Sequence, residues 1–213
     1  MIRKTLLTPA CFGPVQYFMH LWRGPVIIEN HANYVRQTYR SRYIIAGANT
    51  PLTLSVPVEK GHSLKIPERD VKIAYHMPWQ KNHWRSIVSA YNSSPFFEFY
   101  MDDIEPFFQK RYTYLLDLNL AVTEVLTDLL SIDSEISFTS EFNQNPGNGI
   151  LDLRESLHPK KDYTRNDPFF KPVAYKQVFD DRHGFIPNLS ILDLLFNKGP
   201  EARLILAQSC TTK

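Results

Sequence analysis

The sequence predicts an α/β or α+β protein, a single mixed sheet packed with several helices. Three observations predict it. Short apolar runs divided by turn residues fill the first 75 positions. A helical period replaces them from Pro78 onward. A strand, loop and helix pattern returns near the end of the chain.

Taken in order, "TLLT" at 5–8 is apolar, ends at Pro9 and suits a buried strand. "VQYFMHLW" after Pro14 predicts a short helix, and "PVIIEN" at 25–30 a second buried strand. In "TYRSRYIIAGANTPLTLSVPV", the "GAN" at 47–49 marks a turn between two strands. "KIAY" at 72–75 is a further short strand candidate. "PWQKNHWRSIVSAY" puts Trp84, Ile87, Val88 and Tyr91 on one helical stripe. Ser94 and Pro95 then read as the cap and first turn of another helix. Residues 111–132 predict the longest helix, with Leu115, Leu118, Val122, Leu126 and Leu129 inward. "EISF" at 135–138 and "AYKQVF" at 174–179 are the late strands.

The whole chain, 1–213, reads as one domain with a flexible insertion at about 140–172. That stretch is rich in Asn, Gly and Pro, then in Lys and Arg.

Composition excludes more than it selects. A net charge of +2 gives no ground for nucleic-acid binding. Cys11 and Cys210 lie at opposite ends, forming neither a disulfide framework nor a metal-ligand spacing, so no metal site is expected. Neither a signal peptide nor a membrane span is evident, which predicts a cytoplasmic protein with no membrane insertion. There is no GxGxxG, P-loop, GxSxG, HExxH or CxxC pair. Neither a cofactor's identity nor the oligomeric state is readable.

Three constellations carry candidate chemistry. In "VFDDRHGFIPNLSILDLLFNKGPEA", Pro187 biases its predecessor to an extended conformation and Asn188 is placed to cap the following helix. Gly199 and Pro200 stop that helix and start the next. Ser190 and Asp193 lie near its positive end, where an anionic ligand is favoured, although Asp193 also complements the dipole. His183, beside Gly184 in the approach, is a candidate general base, against the commoner account of a surface histidine.

In "WQKNHWRSIVSAY", Trp79 and His83 share a helix face. His83 is a candidate base, or a boundary histidine satisfied by backbone or water. In "ENHANYVRQTYRSRYII", alternation puts Arg40 and Arg42 on one strand face, able to grip a phosphate or carboxylate from two directions. An exposed strand face is the plainer account. Glu29 and His31 close the preceding strand, where open α/β sheets place ligands.

With "CFGPVQYF", "ENHANYVRQTYRSRYIIAGAN", "WQKNHWRSIVSAYNSSPFFEFY" and "QVFDDRHGFIPNLSILDLLFNKGPEA" in view, the sequence resembles the WbqC-like family along nearly its whole length. The resemblance implies a place in O-antigen or surface-polysaccharide biosynthesis. It also implies a transferase that moves a glycyl, aminoacyl or other acyl group to a sugar or sugar nucleotide. A non-catalytic sugar-nucleotide or partner-binding protein of the same pathway is the alternative. On this expectation Gln16, Tyr17, Glu29, His31, Arg40, Arg42, Trp79, Asn188, Ser190 and Asp193 bind substrate, and His83 and His183 act as bases. The backbone N–H groups after Asn188 stabilise developing charge, and 140–172 closes over the ligand. Cys11, Phe12 and Gly13 depart from the Y-F-P opening common in that family.

Overall fold

The computed structural model describes residues 4–59 and 66–211, so Met1–Arg3 of the basic opening lie outside it. Four strands form a parallel sheet: β1 (Lys4–Leu7), β2 (Val26–Ile28), β5 (Ile136–Phe138) and β6 (Ile150–Asp152), in the order β5-β2-β1-β6. Thr5 pairs with Val26 on one side of β1 and with Leu151 on the other. Helix α1 (Val15–Arg23) connects β1 to β2. The class is therefore α/β, but the strands divide between two sheets. β3 (Arg42–Ile45) and β4 (Leu52–Ser55) form a separate antiparallel hairpin, with Tyr43 opposite Leu54.

The helical layer comprises α2 (Trp79–Tyr91), α3 (Phe97–Ile104), α4 (Leu115–Leu129), two single turns α5 (Tyr163–Asn166) and α6 (Asp180–His183), α7 (Ile191–Lys198) and α8 (Ala202–Ser209). α4 buries Leu115, Leu118, Val122 and Leu126 as the spacing predicts. α2 turns a slightly different face inward than predicted. Trp79, His83, Ile87, Ala90 and Tyr91 are buried, and Trp84 and Val88 flank them, because Phe108 and Phe97 stack on the indole of Trp84 at the edge.

Four local expectations are corrected. Ser94 does not cap α3; its hydroxyl donates back to the Tyr91 carbonyl at 2.6 Å, and the helix starts at Phe97. "KIAY" makes only isolated bridges, Lys72 with Tyr114 and Ile73 with Val58. "AYKQVF" is not a strand. Its alternation is real, but Tyr175 and Gln177 turn inward to bond a buried carboxylate instead of forming a ladder. The 140–172 segment is also not irregular throughout. It supplies β6 and buries Leu153, Leu157, Phe169 and Phe170.

Asn188 caps a helix, but not the one that follows it. α7 is capped by Ser190, whose Oγ accepts from the Leu192 N–H at 3.4 Å. Asn188 sits at φ +57°, a left-handed conformation that Asn tolerates better than most residues. From there its Oδ1 accepts from the Gln16 N–H at 2.9 Å, and the Leu189 carbonyl accepts from the Val15 N–H at 2.9 Å. Pro14 precedes α1 and offers no side-chain oxygen, so the distant 188–189 turn satisfies these amino-end donors. The Gly199 stop is as predicted, at φ +50°.

Candidate functional site at the carboxyl ends of the parallel strands

β1 has β2 on one side and β6 on the other, so the strand order reverses beside it. Open α/β sheets bind ligands outside the carboxyl ends of strands at such a reversal. Here that edge carries Glu29 just after β2, Thr139 just after β5, Asp152 at the end of β6 and Arg154 two residues on.

Arg154 ties these together. Its Nε and Nη2 bond both oxygens of Asp152, at 3.0 and 2.7 Å, and its Nη1 reaches Glu29 Oε2 at 3.0 Å. The guanidinium thus spans β1 and clips the end of β2 to the end of β6. Glu29 is 1% exposed. Its Oε1 accepts from the backbone N–H groups of His31 and Ala32 and from the Thr139 hydroxyl. A buried carboxylate with this many donors is fully compensated.

Two cavities meet at Arg154. One, of about 270 Å³, is lined by Glu29, Phe138, Thr139, Glu141 and Arg154. The other, of about 410 Å³, is lined by Ala32, Arg40, Phe142, Gln144, Asp152, Arg154 and Glu155. Beneath the second, Arg40 Nε lies 2.9 Å from Glu68 Oε2, an ion contact whose angle falls outside hydrogen-bond geometry. Burial raises the Glu68 carboxyl to about 7, and Arg40 only partly offsets this. The crevice therefore presents both signs of charge. It can take a ligand that carries an anionic group together with a donor or ammonium group.

The sequence-predicted site residues do not gather in one place. Glu29 and Arg40 reach the crevice. His31 stands at its margin, half-buried, with Nδ1 3.5 Å from Arg69 Nη1. Arg40 precedes β3 in a turn, so it does not share a strand face with Arg42, whose Nε is buried with no hydrogen-bond partner among the described residues. His83 is packed between Tyr43, Trp79 and Phe108, with Nδ1 3.0 Å from the Tyr43 hydroxyl. Burial lowers its pKa to about 4, against a backbone bond at Ser55 that acts the other way. His183 lies on α6, 3.1 Å from the Ala48 carbonyl in the β3–β4 turn. Neither imidazole lines the Arg40 cavity.

The other candidates sit in the interior. Tyr17 is 1% exposed and Trp79 5% exposed. Gln16 donates to Asp167 Oδ2 at 2.7 Å, and His20 Nε2 approaches the same oxygen at 2.6 Å. Burial alone would raise the Asp167 carboxyl, but its bonds to His20, Gln16 and the Phe169 N–H hold it below its ordinary value. Asp193 is sealed among Tyr91, Tyr175 and Gln177, and burial raises it to about 6. The start of α7 offers nothing to a ligand. Ser190 and Ile191 N–H groups bond Ile44 and Gly13 carbonyls, and the Leu192 and Asp193 N–H groups bond Ser190 itself.

Arg154, Asp152 and Glu155 are charged crevice residues that sequence reasoning missed, as is Glu68, which contacts Arg40. The signal was "ILDLR", an apolar run closing on opposite charges, set inside a segment whose Asn and Gly content suggested no strand. Among the described residues no group of three or more His, Cys, Asp or Glu is placed to hold a metal ion. Likewise, none of their helices is long and apolar enough to cross a membrane.

Comparison with known proteins adds a family but not an activity. A model of the WbqC-like protein family matches residues 12–168 and 168–205. An uncharacterised protein of Mycobacterium tuberculosis is 24% identical over 212 residues, covering 85% of this chain and 90% of that protein. No solved structure matches the chain.

Proposed function

The chain belongs to the WbqC-like protein family, and from that premise we propose that it is a transferase of surface-polysaccharide biosynthesis, O-antigen included, working in the cytoplasm. It moves an aminoacyl, glycyl or other acyl group to a sugar carried on a nucleotide. The observation that carries this reading is the 410 Å³ crevice at the strand-order reversal, lined by Arg40, Arg154, Asp152 and Glu155. Guanidinium groups suit the phosphates of a sugar nucleotide, and carboxylates suit a sugar amine or hydroxyl. In the step, the acceptor amine or hydroxyl attacks the activated acyl carbon. The bond from that carbon to its leaving group breaks, and the attacking atom gives up its proton. Asp152 and Glu155 are the proton acceptors the crevice itself offers.

The test is turnover. The protein is incubated with sugar nucleotides and activated amino acids, and the sugar is weighed by mass spectrometry. A mass gain of one acyl group, lost in Glu155→Gln or Asp152→Asn, supports the transferase. A second reading, binding without reaction, is favoured by one observation: His83 is sealed in the core and His183 lies at a different surface. Saturable binding with no mass gain across the panel selects that reading.

A further inference from the structure

Phe142 is a large apolar side chain left 53% exposed, and it stands at the mouth of the Arg40 and Arg154 crevice. It is not there through looseness of its loop. Thr139 anchors the loop on one side, its hydroxyl donating to Glu29 Oε1 at 3.0 Å. Gln144 anchors the other, its carbonyl accepting from Arg154 Nη2 at 3.4 Å. An Asx turn, Asn145 N–H to Asn143 Oδ1 at 2.9 Å, shapes the return. Between these anchors the ring lies over the Arg154 guanidinium, 5.2 Å from carbon to centroid.

A cation on one face draws electron density out of an aromatic ring. The opposite face is then a poorer partner for sugar C–H groups and a better one for an electron-rich planar system. We propose that Phe142 is a stacking platform for the nucleobase of a nucleoside diphosphate sugar, with Arg154 behind the ring and the diphosphate directed toward Arg40. This rests on the reading of the crevice as a sugar-nucleotide site and adds which part of that ligand lies where. Base stacking on an aromatic ring is tolerant of base identity, so the platform sets affinity more than choice among bases.

The experiment is calorimetric titration of the full chain with uridine, cytidine, guanosine and thymidine diphosphate sugars, and separately with hexose 1-phosphates. Phe142→Ala is expected to weaken the best-bound nucleotide sugar by about tenfold, the usual scale for losing one base–aromatic stack. Hexose 1-phosphate binding should stay within twofold, and Phe142→Tyr should bind like wild type. Phe99→Ala, which removes a ring 75% exposed on α3, is the surface control. Nucleotide-sugar binding unchanged in Phe142→Ala overturns the platform and leaves the crevice reading standing. Equal loss of both ligand types places the ring against the sugar and also overturns it. No binding of any nucleotide sugar to the wild-type chain removes the crevice reading, and the platform with it.

Discussion

Replacing Arg154 by Ala should destabilise the protein more than loss of a surface arginine, because the guanidinium holds the ends of β2 and β6 together. It faces two carboxylates of different kinds. The Asp152 side chain is 34% exposed and recovers water when its partner goes, so its loss costs little. The Glu29 side chain is 0% exposed and does not recover water. Its Oε2 loses the only bond described to it, while Oε1 keeps the His31 and Ala32 N–H groups and the Thr139 hydroxyl. Stranding one partner of a buried ion pair costs roughly 3–5 kcal/mol. The three donors that remain put Arg154→Ala near the low end, about 3 kcal/mol. Urea unfolding followed by circular dichroism measures it, and with a slope of about 2–3 kcal/mol per molar the midpoint falls by about 1 M or more. Adding Glu29→Gln removes the stranded charge, so the double variant should recover about 2 kcal/mol relative to additivity. A loss below about 0.5 kcal/mol in Arg154→Ala, or strict additivity in the double variant, would refute the account of the clip.

Two buried groups should give the stability curve opposite slopes. His83 stays neutral to about pH 4 in the fold, against an unfolded value of 6.5. The unfolded chain therefore binds more protons between those values, and stability is lost as pH falls through that window. His83→Gln should flatten that loss. Glu68 is raised from 4.5 to about 7, so the folded state binds the extra proton and stability is lost as pH rises through that window. Glu68→Gln should remove that slope, about 3 kcal/mol at most. Denaturant titrations at pH 4, 5.5, 7 and 8 distinguish the two, and parallel curves for wild type and either variant would contradict that assignment. Gly199→Ala should cost about 3 kcal/mol, because its Cβ would stand 2.5 Å from Phe96 Cδ1 at a left-handed φ of +50°. Gly147→Ala, at φ +94° with nothing within 4 Å of the new carbon, should cost only about 1 kcal/mol, and equal thermal shifts would deny the Phe96 contact its part. Asn188→Ala should cost about 1–2 kcal/mol through α1, read as faster amide exchange at Val15 and Gln16.

What could be read in the sequence was what local pattern controls. The period of α4, the turn between β3 and β4, and the stop at Gly199 all follow from residues within a few positions of one another. What could not be read was set by distant partners. Asn188 looked like the cap of the next helix because Oδ1 of an Asn before a helix has the right chemistry, yet Ser190 does that work and Asn188 turns to Gln16. Tyr175 and Gln177 alternate like a strand because they bond one buried carboxylate, Asp193, and alternation cannot tell that from a ladder. The candidate site shows the same division. Glu29 was found from its place after an apolar strand. Arg154 was missed because its role depends on a second, buried partner, Glu29, 125 positions away, and spacing along the chain says nothing about that pairing.

The capping of α1 by the 188–189 turn also constrains how the protein is made. A chain leaving the ribosome exposes residues 15–23 long before the groups that close their amino end have been synthesised. β1 likewise waits for β6, its partner on one side. The amino-terminal third thus emerges before the partners of one β1 edge and of the α1 amino end are present. A chain that stopped short of residue 188 would lack the groups that close the amino end of α1.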